Sequence, residues 1–238
     1  MKNILQTELL NLNIYLSDQQ TEQFLMYYDL LVEWNKVMNL TGITEYEEVV
    51  KKHFIDSLSF IKVLENNNCF EEKLSLIDIG TGAGFPGIPL KIVFPNLNIT
   101  LLDSLNKRIK FLNEVISKLD LYNIKAIHGR AEDYAKISDY REQYDFAVSR
   151  AVSNLSTLSE YCLPFVKING LFISYKSEKS EEELMAAQNA ISTLGGKFIR
   201  KIDFNLYENY RSLIVIQKYN ITPLKFPRKS GIAQKKPL

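Results

Sequence analysis

Three glycines at alternating positions, Gly80, Gly82 and Gly84, follow directly on the apolar run "LSLIDI", and Phe85-Pro86 closes the group. Glycine in such a place tolerates positive φ and lets a ligand reach the backbone without a Cβ in the way. Pro86 and Pro89 suit the first turn of a following helix and Pro95 its end, so free N–H groups are expected to face the loop. The spacing is G-x-G-x-G, whereas the dinucleotide fingerprint G-x-G-x-x-G has its third glycine one position later. A pyrophosphate needs room that Phe85 would take. The early glycine and the phenylalanine point instead to S-adenosyl-L-methionine, whose anionic end is a carboxylate and whose reactive centre is a sulfonium. On the loop alone, a nicotinamide dinucleotide stays open as the alternative.

Asp103 ends the run "NITLLD", 23 residues after Gly80. A carboxylate there accepts both ribose hydroxyl protons of either cofactor, and a capping role for the next helix is compatible with that. Asp78 is flanked by apolar residues and costly to bury unpaired, so bracing of the loop is its expected task. In "HGRAEDY", Ala131 and Glu132 stand where an acid and backbone N–H groups would read an adenine, with a helix cap as the plain alternative. "SRAVSNL" brings Ser149 and Arg150 to the carboxyl edge of a sheet, where substrates of such folds collect. Pairing of Arg150 with Glu132 is the structural alternative. His53 and His128 show no metal-ligand spacing and are expected to be half-buried or capped. Neither a nucleophile elbow nor a G-x-x-x-x-G-K-[ST] loop is present. Methyl transfer to a free lone pair, such as a purine N7, removes no proton, and suits a cofactor loop without an evident base.

These residues need elements to position them. "SDQQTEQFLMYYDLLVEWNKVMNL" carries Phe24, Tyr27, Tyr28, Leu31, Trp34 and Met38 at helical intervals, with Ser17 and Gln20 spaced as a capping box. "EYEEVVKKHFIDSLSFIKVL" puts Val49, Phe54, Leu58 and Ile61 on a second stripe, and "NNNCFEEK" reads as a loop. From Leu74 the strands LSLIDIG, NITLLDS, NIKAIHG, YDFAVSR and GLFISYK alternate with helices near 106–119, 154–163 and 181–194, the mark of a parallel sheet covered on both faces. "KFIRKIDFNL" and "RSLIVIQKY" have no helix between them and form an antiparallel pair turning at "YENYR". The expected fold is α/β: a Rossmann-like, mostly parallel doubly wound sheet with a C-terminal antiparallel hairpin and an N-terminal helical segment. It divides into a helical segment 1–70, a cofactor-binding core 71–219 and a basic tail 220–238.

The totals agree with one soluble core. The 238 residues are 46% hydrophobic and 24% charged, as ordinary globular chains are. No apolar run reaches bilayer length and the N-terminus is not a secretory signal, so the cytoplasm is the expected location. Cys69 and Cys162 are isolated and expected to be free thiols. A net charge of +1 hides an asymmetry: residues 219–238 hold five cations and no acid, leaving 24 cations against 28 acids in the rest. A basic tail on a mildly acidic body suits a polyanionic partner or a merely solvated end.

Taken in order, "WNKVMNLTGIT", "KHFIDSL", "DIGTGAGFPGIPL", "LLDSLNKRIKFL", "GRAEDY", "SRAVSNL", "RSLIVI" and "PRKSGIAQKKPL" resemble the bacterial small-subunit ribosomal RNA guanine-N7 methyltransferase family, also called glucose-inhibited division protein B. The resemblance runs from about Leu16 to the C-terminus. It implies S-adenosyl-L-methionine as cofactor, methylation of N7 of guanine 527 in the 530 loop of 16S ribosomal RNA, and a monomer acting on that RNA or on a small-subunit assembly intermediate, with no metal and no membrane. It further implies cofactor contacts at Gly80, Phe85, Ala131, Glu132 and Arg150, joined by Gly82, Gly84 and Asp103 on the residue reading. Arg130, Arg150 and Arg211 match arginines placed near the cofactor and RNA. Lys51, Lys52, Lys107 and Arg108 are further candidates for phosphate contacts.

Overall fold

A computed structural model of the chain describes residues 2–64, 73–150 and 153–238; Cys69 and most of "NNNCFEEK" lie outside the described residues. Seven strands form one sheet in the order β3-β2-β1-β4-β5-β7-β6. β1 (Ser75–Ile79), β2 (Asn98–Asp103), β3 (Ile124–His128), β4 (Tyr144–Arg150) and β5 (Val166–Lys176) are parallel. β7 (Asn209–Lys218) runs antiparallel between β5 and β6 (Gly196–Leu206), closing the sheet with the expected hairpin. The turn takes two residues between Leu206 and Asn209, with Tyr207 at φ 57°.

Side chains alternate across each strand, and both faces are covered, which is why the strand sequences are nearly unbroken apolar runs. Leu76, Val148, Ile173 and Val215 face the N-terminal helices, α5 (Gly87–Val93) and α6 (Asn106–Lys118). Ile77, Ala147, Phe172 and Ile216 face α7 (Ala131–Tyr134), α8 (Leu155–Cys162) and α9 (Ser180–Thr193). Cys162 is a free thiol buried on that second face.

The N-terminal layer begins with α1 (Lys2–Leu10), which buries Leu5 and Leu9. α2 (Asp18–Asn35) opens on the expected capping box: Ser17 Oγ accepts the Gln20 N–H while Gln20 Oε1 accepts the Ser17 N–H. Gln20 and Gln23 then donate to the carbonyls of Ile92 and Leu119, binding the helix to the sheet layers. The helix stops at Asn35, whose side chain accepts the Leu40 and Thr41 N–H groups, so Met38 lies past its end. The second stripe is not one regular helix. α3 (Tyr46–Val49) passes into a π-helical segment, Val50–Ile55, then α4 (Asp56–Leu58) and a 3₁₀ turn, Ser59–Val63. The wider π turn rotates the phase, so Val50, Ile55, Phe60 and Val63 join the buried face and Ile61 moves to its margin.

Residues after Tyr219 pack on the core. Arg228 forms a bidentate pair with Glu160, Phe226 and Ala233 are buried, and α10 (Ile232–Lys235) rests beside α8, where Thr157 donates to the Ala233 carbonyl. Lys225, Lys229, Lys235 and Lys236 stay exposed. Among the described residues no helix is long and apolar enough to cross a membrane.

Candidate functional site

The carboxyl ends of β1, β2, β3 and β4 meet in a groove, and the glycine loop stands at its centre. Gly80, Gly82 and Gly84 have φ of 71°, 62° and 97°. They do different work. A Cβ on Gly84 would stand 2.5 Å from Ile88 Cδ1 and 2.9 Å from the Tyr27 hydroxyl, so this glycine serves packing. A Cβ on Gly82 would meet nothing nearer than 4.0 Å, so its side is the one left open. The loop is held from beneath by Asp78, fully buried, whose Oδ2 accepts the Thr81 hydroxyl at 2.7 Å and the Gly87 N–H at 2.9 Å. Burial raises its carboxyl to about 7, and Oδ1 has no hydrogen-bond partner among the described residues.

This corrects one expectation. The N–H groups at the start of α5 are not free for a ligand: Gly87 donates to Asp78 and Ile88 to the Gly84 carbonyl. The loop therefore offers shape and backbone access, while its helix end is satisfied internally.

Asp103 closes β2 and is almost entirely buried. Its Oδ2 accepts the Gly82 N–H at 2.9 Å and Arg108 at 3.1 Å, and its Oδ1 accepts the Leu105 N–H at 2.9 Å. The N-cap of α6 is Leu105, so Asp103 joins loop to loop instead of capping the helix. Beyond it, Ala131 and Glu132 begin α7 at the end of β3. Gly80, Asp103, Arg130, Ala131, Glu132 and Tyr161 line a cleft with an open volume of about 540 Å³, its walls completed by the apolar Ile79 and Leu102. Glu132 accepts the Gly231 N–H at 3.2 Å, and Arg130 donates to the Ser230 hydroxyl at 2.7 Å, so the C-terminal segment forms part of this wall.

A second cleft, of about 940 Å³, shares Gly80 and Asp103 with the first and adds Thr41, His53, Phe85 and Arg150. Phe85 packs against Tyr27, and its ring is stacked on His53 at 4.7 Å, while the Arg150 guanidinium lies 5.0 Å from its centre. Burial, then the charge of Arg150, lowers His53 to about 4, so the imidazole is neutral at neutral pH. Its Nε2 lies 2.8 Å from the Thr41 hydroxyl, and its Nδ1 faces both the Lys52 carbonyl and Arg150. With one N–H to share, the ring serves these partners in alternative tautomers.

Arg150 does not pair with Glu132. Its Nη1 donates to Asp56 Oδ2 at 2.8 Å and to the Lys52 carbonyl at 3.2 Å. Arg211 donates through Nε to the other oxygen of the same Asp56 at 2.8 Å. Arg150, His53, Asp56, Arg211, Lys52 and Lys176 flank a third cleft, contiguous with the second. The three arginines read from sequence thus fall in two groups: Arg150 and Arg211 share one carboxylate, while Arg130 lines the first cleft. Lys51 and Lys52 pair with Glu47 and Glu48, and Arg108 with Asp103. Sequence reasoning missed Asp56 and Thr41 and gave His53 no place in the site. A carboxylate inside the apolar stretch "FIDSLSF" was the available signal, since a buried acid needs a partner. Among the described residues, no group of three or more His, Cys, Asp or Glu side chains could hold a metal ion.

Comparison with known proteins adds an independent line. The family profile described as rRNA small subunit methyltransferase G, GidB, matches residues 20–206. A protein of that name from Lachnoclostridium phytofermentans is 54% identical over 96% of this chain and 93% of its own length. Another, from Alkaliphilus metalliredigens, is 50% identical over 100% of this chain and 98% of its own. Among solved structures, the YcgJ protein from Bacillus subtilis aligns with a TM-score of 0.51 at 14% identity, covering 71% of this chain and 100% of that one, a likeness of fold alone.

Proposed function

The chain belongs to the rRNA small subunit methyltransferase G family, and from that premise we propose that it transfers a methyl group from S-adenosyl-L-methionine to N7 of guanine 527 in the 530 loop of 16S ribosomal RNA. The observation that carries the reading is the continuity of the groove. The cleft of Gly80, Asp103 and Glu132 opens into one bounded by Phe85, His53 and Arg150, so a cofactor site and a base site adjoin.

The residues of the first cleft fit an adenosine group. Gly80 adds no side chain to its edge, and Ile79, Leu102 and Ala131 give apolar walls. Asp103 already accepts three N–H donors, against about four acceptor sites on a carboxylate. One site remains for a ribose hydroxyl, and the partly exposed Arg108 is the donor whose withdrawal frees a second. Glu132 and Ala131 line the same cleft, which supports their reading the adenine.

When bound, the cofactor supplies a methyl carbon on sulfonium: the N7 lone pair forms the new N–C bond, the S–C pair stays on sulfur as a thioether, and the positive charge passes to the purine. No proton leaves N7, so no base is required. The chain's part is to stack, orient and exclude water. Phe85, buried among Tyr27, His53 and Arg150, holds the wall of the second cleft rigid beside the loop. Arg150 and Arg211 orient the guanine or its phosphate, and Arg130 with the tail lysines meets backbone phosphates farther out. The RNA or a partly assembled small subunit is the substrate, met in the cytoplasm by a single chain.

Incubation with methyl-labelled S-adenosyl-L-methionine and 16S RNA from cells lacking the enzyme, free and within partly assembled subunits, tests this. One labelled guanine, methylated at N7, is expected; folded protein that labels neither substrate contradicts the reading.

A further inference from the structure

Asp56 is 5% exposed and stands between two guanidinium groups, each of its oxygens accepting one N–H at 2.8 Å. The three side chains come from elements far apart in the chain: Asp56 from the N-terminal helical layer, Arg150 from the end of β4 and Arg211 from β7 of the same sheet. The neighbouring charges are already matched, since Lys176 pairs with Glu183 and donates to the Ser153 carbonyl, and Lys52 pairs with Glu48. His53 is neutral. The cluster therefore carries two positive charges and one negative at the junction of the second and third clefts.

A buried ion cluster is a weak way to stabilise a fold, because desolvation offsets much of the attraction. The geometry points to another task. Arg150 is restrained on two sides, by Asp56 and by the Phe85 ring. Arg211 is restrained by Asp56 and by the Tyr210 carbonyl, and its Nη2 donates to none of the described residues. One carboxylate thus sets the separation and orientation of both guanidinium groups while leaving donors for a ligand. It also removes one of two positive charges beside a purine that becomes cationic on methylation, where two unbalanced arginines would oppose the reaction.

We propose that Asp56 is a positioning residue that fixes Arg150 and Arg211 as a pair and balances their charge during transfer to the RNA base; this rests on the methyl-transfer reading above. Asp56→Asn keeps the shape, but its amide offers an oxygen to only one arginine. Single-turnover methylation falls by about tenfold or more; the melting temperature falls because one guanidinium loses its acceptor, but in the folded variant affinity for S-adenosyl-L-methionine stays within about twofold of the unaltered protein. RNA binding holds or tightens, and its dependence on log salt steepens by up to about 0.7–0.9 for the unmasked charge. A purely structural role predicts that stability, cofactor affinity and RNA affinity fall together.

The test measures four quantities on Asp56→Asn, Asp56→Glu and Arg211→Lys: melting temperature, cofactor binding by calorimetry, 16S RNA binding across salt, and single-turnover methylation. Lost turnover with retained binding, partly restored in Asp56→Glu, supports the proposal. Full turnover in Asp56→Asn overturns it, as does parallel loss of cofactor and RNA binding in a folded variant. If Asp56→Asn does not fold, Arg211→Lys decides: lost turnover with retained RNA affinity supports, full turnover overturns. An unaltered protein that labels no guanine overturns the parent reading and this one together, whereas an active parent beside an active Asp56→Asn overturns this one alone.

Discussion

The groove has two halves built in opposite ways. On the cofactor side, Asp78 reaches partners three and nine residues on, at Thr81 and Gly87. Asp103 reaches Leu105 and Arg108, two and five residues on, and Gly82 at 21. On the arginine side, Asp56 meets Arg150 across 94 residues and Arg211 across 155. The first half lies within successive strand–loop–helix units, whereas the second joins the N-terminal helices to strands far along the chain. The first is rich in acids holding backbone N–H groups; the second is cationic, with one acid in common. On the proposed function, a nearly neutral adenosine in the first half and a polyanionic RNA in the second ask for that difference.

The largest effect expected from breaking the contrast is at the shared residue. Arg150→Ala removes the guanidinium common to the second and third clefts, and single-turnover methylation falls by about 10²–10³. Calorimetry then finds cofactor affinity reduced by less than about tenfold. Equal losses in the two would erase the distinction between the halves.

Within the cofactor half, the glycines separate packing from access. Gly84→Ala forces a Cβ against Ile88 and Tyr27 at φ 97° and lowers stability to chemical denaturation by about 2–4 kcal/mol. Gly82→Ala has open space and costs about 1–2 kcal/mol for its left-handed backbone, its clearer consequence being weaker cofactor binding. The reverse ranking would show that the open side of the loop has been misplaced.

Asp78 gives the cofactor half a pH signature. Its carboxyl keeps its proton to about 7 in the folded chain, against 3.8 ordinarily. The folded state binds that proton more tightly than the unfolded state, so the stability is fully present below the ordinary value and is lost as pH rises toward about 7. Unfolding by urea at a series of pH values should show a decline of about 4 kcal/mol across this window, absent in Asp78→Asn. His53, held near 4 by burial and Arg150, contributes no titration at neutrality. The smallest effect lies at the periphery of the RNA surface. Converting Lys229, Lys235 and Lys236 singly to Gln should lower the slope of log affinity against log salt by up to about 0.7–0.9 each, with turnover at saturating RNA unchanged.

Legibility in the sequence follows the same division. The strand rhythm, the hairpin, the Ser17 capping box and the loop-bracing role of Asp78 are local patterns, and each is readable where it stands. The π segment at Val50–Ile55 is not, because apolar residues at three- and four-residue intervals also fit a regular helix, and the wider turn accompanies tertiary packing that buries Ile55 and sets Phe54 against Phe24, Tyr27 and Phe85. The start of α5 misled for a related reason: free N–H groups there follow from local rules, and the buried Asp78 that takes one comes from the preceding strand. Arg150 and Arg211 were visible as arginines, but their shared carboxylate was not, since no local pattern joins positions so distant in the chain. The acid of "KHFIDSL" stands in plain sight, but nothing in its spacing points to either arginine.

On the proposed function the two halves together methylate one guanine of the small-subunit RNA. Mapping of N7-methylguanine along 16S ribosomal RNA, by strand scission at the modified base in cells with and without this gene, tests it most directly. A single modified position at guanine 527, lost with the gene and restored by the unaltered protein but not by Arg150→Ala, is the expected result. Unchanged modification at that position in the absence of the gene would contradict the account.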